Sequence, residues 1–404
     1  MIVPDRVDAG GGPAPAPQAA ARPAPVRFLL RCVADGLTQP EAADDPAPLP
    51  PMTDADWQTL PALVRHHRLE MMVGAVLDGP SRLRMAVPDP QRRTLRELRN
   101  QAVRRTMRLA AEVVRLTCRF AEEGVEVLVL KGVALSVLLH GTPLHRSCRD
   151  IDLLVRAGDE ARARAILADC GYGNSADAVA VCLNAVELRN SDLGTVVELH
   201  VRLTDDERLL PTAALRPFET AVTVDIAGRP VRTLAPDAAL VYAAYHGAHH
   251  HWFRLHWLAD IAAATRCPRI DWRRAAQMAR QTGTERHFAM AARLSDGLMG
   301  CPPPDPPAPS GRDLAAIRRA ESLVSAILAG PPASDIETVR RVGRLRVLAG
   351  ELALCRGPGA AWAQLLTRLR PTDTDRAAFP LPAALGALHY PLRILRMAWI
   401  LCRR

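Results

Sequence analysis

Lysine is almost absent from this chain. Of its 52 basic residues only Lys131 is lysine, and the other 51 are arginine. Alongside 34 prolines and abundant alanine, this bias reads as the signature of GC-rich coding. The formal charge of +9 is therefore a weak argument for a nucleic-acid partner. Nucleotides fit a pI near 9.5 as well as nucleic acids do. Aromatic residues make up 4% of the chain. The nine cysteines are scattered, odd in number and never spaced Cys-x-x-Cys. That argues against a disulfide framework and a structural zinc site, and favours reduced thiols in a cytoplasm. No run of 18 apolar residues occurs, which excludes a conventional membrane-spanning helix. Residues 1–12 hold no apolar stretch, so no secretory signal is expected. What is present, 49% hydrophobic and 24% charged residues over 404 positions, suits two or three globular domains with real cores.

Composition shifts divide the chain. Residues 1–50 are rich in Pro and Ala and read mostly as a disordered tail, with a short helical pattern at 26–36. Residues 51–123 read as helical. Thr53 or Asp54 can cap a helix through Trp57, Leu60 and Leu63, and His66, His67 and Arg68 then read as its solvated end rather than a metal site. From 91 to 123, Leu95, Leu98, Ala102, Leu109, Val113 and Leu116 recur at helical spacing. That window carries nine arginines and four glutamates, read as a solvated face, with an anionic-substrate surface as the alternative. Gly124 is its expected stop.

Between 124 and 235 the pattern changes to strands alternating with helices, the mark of a small α/β or α+β unit. Val125–Leu130 is a β-branched strand ending in Lys131-Gly132. A helix follows over 133–140, a strand over 150–155, a helix over 158–170, and two strands over 178–188 and 195–201. From 236 to 404 the chain is helical again, with a long pattern over 238–265 interrupted near Gly247. The segment 389–404 is apolar with interspersed arginine. It reads as a final packed helix, with a membrane-surface helix as the alternative.

The chemistry concentrates in Asp150-Ile151-Asp152 and Glu198. On a strand, residues i and i+2 share a face, so the two aspartates project together. Close carboxylates repel unless a cation lies between them, and a hard cation such as magnesium favours carboxylate and phosphate oxygens. With Glu198 from a neighbouring strand, three carboxylates can hold two metal ions. Upstream, Lys131-Gly132 opens a helix, where glycine and free N–H groups let a phosphate approach.

The series Lys131-Gly132-Val133-Ala134-Leu135, Arg146, Asp150-Ile-Asp-Leu-Leu-Val155 and Glu198-Leu-His200 resembles the bacterial "uncharacterised nucleotidyltransferase" family, within the polymerase-β-type nucleotidyltransferase superfamily. The resemblance spans about residues 53–290. It implies an α+β fold, a small mixed-sheet nucleotidyltransferase core flanked by N- and C-terminal helical regions. It implies that Asp150, Asp152 and Glu198 are catalytic and bind Mg2+, with two ions accommodated. Lys131, Gly132 and Arg146 would bind the phosphates of a nucleoside triphosphate such as ATP. The wider superfamily has Gly-Ser or Gly-Gly where this chain has Gly132-Val133, so the usual hydroxyl–phosphate contact is missing. Family members occur in peptide natural-product clusters, lasso peptides included, which implies a tailoring role.

His200 shares a face with Glu198 and stands equally as a site or packing residue. His246 is assigned to the nucleotide site, with helix packing the competing reading. His246 and His250 have ligand spacing, but the motif lacks the glutamate of a zinc helix. Asp260 is expected to pair with an arginine. The leading expectation is a cytoplasmic, Mg2+-dependent enzyme that moves a nucleoside monophosphate to a peptide, small-molecule or RNA acceptor. The alternatives are a toxin-like enzyme acting on tRNA and a catalytically idle nucleotide-binding partner protein.

Overall fold

The computed structural model describes residues 22–37, 48–79, 81–174, 185–371 and 373–402. Seven strands form one mixed sheet: β1 (Val127–Val129), β2 (Ile151–Val155), β3 (Gly173–Asn174), β4 (Ala185–Asn190), β5 (Thr195–His200), β6 (Val222–Ile226) and β7 (Arg229–Thr233). Their order is β3-β4-β5-β2-β1-β7-β6. The β2/β5 and β1/β7 pairs are parallel and the rest antiparallel. Helices precede and follow the sheet in sequence, as the expected α+β class requires.

The helix ahead of the sheet follows its sequence pattern. Asp89–Glu122 buries Leu95, Leu98, Ala102, Leu109, Val113 and Leu116, and Gly124 at φ +64° turns the chain into β1. Many of its arginines are bound to acids: Arg96 and Arg99 with Asp78, Arg115 with Glu112 at 2.6 Å, Arg119 with Glu122 at 2.5 Å. These four of its nine arginines are thus held by acids. The helix Asp54–His66 starts at Thr53, in a reciprocal capping box with Asp56.

Two expectations change. The short helix expected over 26–36 is present as Ala24–Leu37, but it belongs to the core rather than to a tail: Phe28, Leu29 and Cys32 are fully buried, and it packs on the helices Glu70–Asp78 and Glu285–Met299. The rest of the expected tail, 1–21 and 38–47, lies outside the described residues, as does 178–184 of the expected strand ahead of β4. His67 is not a solvated helix end but is buried, as described below. The interruption expected near Gly247 is present: the pattern over 238–265 divides into Pro236–His249 and Leu255–Ala264. Between them His251 and Trp252 both take positive φ, at 51° and 54°. The buried Trp252 ring lies against Gly247, where a Cβ would overlap it.

The final helix, His389–Cys402, is pinned by Arg393 and Arg396 to Asp375. It leaves Ile394, Leu395 and Trp399 exposed. No helix among the described residues is long and apolar enough to cross a membrane. Cys32, Cys118, Cys148, Cys170, Cys267, Cys301 and Cys355 are unbridged.

Candidate active site

Strand register builds the centre of the site. In the parallel β2/β5 pair, Asp152 lies directly opposite Glu198, and Leu154 opposite His200. The row continues into β4 with Glu187, which is exposed and paired with Arg189. β1 delivers Lys131 from the other side: the Leu130 N–H donates to the Asp152 carbonyl at 3.0 Å. Lys131 Nζ then reaches Asp152 Oδ1 at 2.9 Å. His200 Nε2 lies 3.4 Å from the same oxygen and 3.5 Å from Glu198 Oε2.

Asp152 is 1% exposed, and its Oδ2 has no hydrogen-bond partner. Burial alone would raise its carboxyl, but the Lys131 ammonium and His200 hold it well below the usual carboxylate range. Burial would lower the Lys131 pKa; Asp152 overrides this and raises it. Burial likewise opposes the protonated His200 ring, and hydrogen bonds to Asp152 and Glu198 raise its pKa.

Ligand atoms of Asp152, Glu198 and His200 lie within 4.8 Å of one another, a group able to hold a metal ion. Asp150 is not in that group. It sits just ahead of the first residue of β2 and lines the same cavity. The expected side-by-side pair is therefore one interior carboxylate and one at the strand's edge. Gly132 caps the helix Val133–His140 at φ 65°, ψ −126°. A Cβ there would have room, 3.7 Å from the Asp150 carbonyl oxygen, so the backbone conformation is what calls for glycine.

Of these groups, Lys131, Asp150, Glu198 and His200 line a cavity of about 240 Å³. One wall is aromatic: Tyr242, Tyr245, His246, His249, His250 and Trp257. The His250 and Trp257 rings stack at 5.0 Å and 22°, and His246 meets Trp257 edge-on at 5.6 Å. Burial holds His246, His250 and His256 well below the ordinary histidine pKa, so these rings are neutral at pH 7. His256 is 3% exposed, and neither ring nitrogen has a hydrogen-bond partner.

The cavity lining is also cationic, with Arg68, Arg146 and Arg254. Arg146, expected at the phosphates, is held by Asp260, its Nε 3.1 Å from both carboxylate oxygens. The expected pairing of Asp260 with an arginine is thereby met. Arg254 pairs with Asp335 at 2.8 Å. Arg68 takes φ +55°, uncommon for a residue other than glycine, and its buried Nε has no hydrogen-bond partner. The turn before it is locked in place: His67 Nδ1 accepts from the Leu255 N–H at 3.3 Å, and the His67 carbonyl accepts from the His256 N–H at 3.2 Å. Sequence reasoning missed Arg68, Arg254, Tyr242 and Trp257. The one local signal for Arg68 is the polar His66-His67-Arg68 cluster between two helical runs.

No curated protein matches the chain. Among solved structures, it is similar to an antigenic nucleotidyltransferase-like protein from Paracoccidioides brasiliensis. The identity is 18% and the TM-score 0.30, covering 48% of this chain and 93% of that one. The family model described as "Uncharacterised nucleotidyltransferase" matches residues 53–300, which include every strand of the sheet and the whole cavity wall from Arg68 to Trp257. The chain belongs to the uncharacterised nucleotidyltransferase family.

Proposed function

We propose that the chain is a Mg2+-dependent nucleotidyltransferase, which moves a nucleoside monophosphate from a triphosphate to an acceptor hydroxyl or phosphate and releases diphosphate. The observation that carries this reading is the register of Asp152 with Glu198, beside the Lys131-Gly132 turn, with Asp152 Oδ2 buried and unpartnered. An orphaned buried carboxylate oxygen is costly unless something binds it. The surrounding donor set is rich in carboxylate oxygen, which suits a hard divalent cation. Asp152 and Glu198 would hold that cation, with Asp150 reaching it from the cavity's edge. Bound there, it would offset the charge of the triphosphate and of the leaving diphosphate.

The chain's own residues supply the rest. Glu198, whose side chain is 29% exposed, is far more open to the cavity than Asp152 and would take the acceptor's proton. His200 fixes both carboxylates by contacting each. The family resemblance assigns the Gly132 turn to the phosphates, although Gly132 itself is buried and lies outside the cavity lining. Arg68 adds a charge for the phosphate tail. His246, His250 and Trp257 form the face on which a base stacks, neutral at working pH and so free to donate and accept hydrogen bonds. The family resemblance implies a role in peptide natural-product tailoring, and the acceptor is a peptide, a small molecule or RNA.

The test is calorimetric. Each nucleoside triphosphate is titrated with and without Mg2+ into the native chain and into Asp150→Ala/Asp152→Ala. Mg2+-dependent binding of one triphosphate, lost in the double variant, is expected, and α-labelled triphosphate then screens peptide acceptors. Unchanged Mg2+-dependent binding in the double variant would remove these aspartates from the site.

A second reading, transfer to an RNA acceptor, draws on one surface. Arg82, Arg84, Arg92, Arg93 and Arg96 line an open cavity of about 830 Å³. Labelling of RNA rather than peptide in the same screen would favour it.

A further inference from the structure

We infer that this site takes one divalent cation with its nucleotide rather than two, because the Lys131 ammonium already occupies the second cation position on Asp152. The inference rests on the nucleotidyltransferase reading above. A two-cation centre clamps the attacking and leaving oxygens with ions about 3.5–4 Å apart, and a carboxylate set between them offers one oxygen to each. Here the two oxygens of Asp152 are not equivalent. Oδ1 has Lys131 Nζ at 2.9 Å and His200 Nε2 at 3.4 Å, whereas Oδ2 has no partner. One oxygen is already committed to a cation, and the other is buried without a partner.

Lys131 is poorly placed to withdraw. Its side chain is only 16% exposed, so leaving Asp152 would break a largely shielded ion pair. The backbone on either side is also fixed: Leu130 is bonded to the Asp152 carbonyl, and Gly132 sits at φ 65°. A second dication on Oδ1 would meet the ammonium at contact distance, with little water between to screen the repulsion.

The residue type fits as well. An ammonium is a compact point charge that can take an ion's place on a single oxygen, whereas a guanidinium is a planar fork suited to bidentate pairing. In a chain with 51 arginines, the one lysine stands where a point charge is needed.

The test counts ions, using Mn2+ as the probe. Native protein with a triphosphate non-hydrolysable at the α,β-bridge is titrated with Mn2+ and followed by electron paramagnetic resonance and calorimetry. One bound Mn2+ per chain, with no exchange-coupled pair, is expected. Lys131→Met should raise the count to two and bring up the coupled-pair signal. Lys131→Gln, which keeps a polar contact to Asp152 without the charge, replaces it if circular dichroism shows the Met variant unfolded. Two ions in the native protein would overturn the inference and leave the nucleotidyltransferase reading intact. One ion in both native and variant protein would overturn the role of Lys131. No bound Mn2+ in the native protein would overturn the metal site and the inference with it.

Discussion

Asp260→Ala should cost far more than an ordinary salt-bridge deletion. Arg146 is 8% exposed, and its Nε lies 3.1 Å from both oxygens of Asp260. At that separation, with an effective dielectric of about 20, the pair's attraction is on the order of 5 kcal/mol. Removing one partner leaves a guanidinium buried without its counter-charge, a loss of about 3–5 kcal/mol. An exposed pair of the same geometry would lose about 0–1 kcal/mol. Urea unfolding followed by tryptophan fluorescence separates the two cases. A destabilisation under about 1 kcal/mol would refute the argument that Arg146 depends on Asp260. Arg146→Met/Asp260→Leu sharpens the test. Replacing a buried pair by apolar residues of similar volume is often close to neutral, so the double variant should recover most of the lost stability. If Arg146 also meets the triphosphate, nucleotide binding stays weak in that stable double variant. If binding returns with stability, the arginine's work is confined to joining the Arg146 loop to the helix Leu255–Ala264.

Gly247→Ala places a methyl group inside the buried Trp252 ring; overpacking of this kind costs about 1–3 kcal/mol, and nucleotide binding should weaken with it because the strained turn carries His250 and Arg254. An unchanged melting temperature would show that the ring can shift. Arg68→Ala should weaken triphosphate binding about tenfold or more, the scale of one charge-assisted hydrogen bond, with little change in melting temperature; equal losses for nucleoside and triphosphate would show that Arg68 does not meet the phosphates. Burial first, aided by Arg368 for His249 and by His249 for His287, lowers these two rings to about 4 and about 3. Their unfolded values lie near 6.5, so between there and about 3–4 the unfolded chain binds more protons. Stability should therefore fall as pH drops from 6.5 and level off above about 7. A melting temperature that rises from pH 7 to 5 would contradict this.

The parts of the molecule legible in sequence are those with local causes. The apolar spacing from Leu95 to Leu116 announces the helix Asp89–Glu122 because its buried face repeats with the helical period. Asp152 and Glu198 are readable because each sits on a short apolar strand whose alternation sets its face. The pairing that brings them together had to be assumed, since register is a tertiary fact. The β6–β7 hairpin turns at Ala227-Gly228, both at positive φ, and lacks the Asn-Gly that would advertise such a turn. Arg68 was hidden for a different reason. Its place in the cavity depends on His67 bonding to a helix almost two hundred residues away, and nothing in the local sequence reports that contact.

The parallel pairing of β2 with β5 has a consequence for when the site comes into being. Parallel neighbours cannot be closed by a tight hairpin, and here the crossover includes the helix Glu160–Asp169 and the strands β3 and β4. Contacts this distant in sequence form late, after loop closure has been overcome. The helical segments on either side can condense from local contacts well before that. A partly folded chain can therefore hold much of its final helix content while Asp152 and Glu198 are still apart. Recovery of cation binding during refolding should lag behind recovery of the helical signal, and the interval between them measures the closing of this one strand pair.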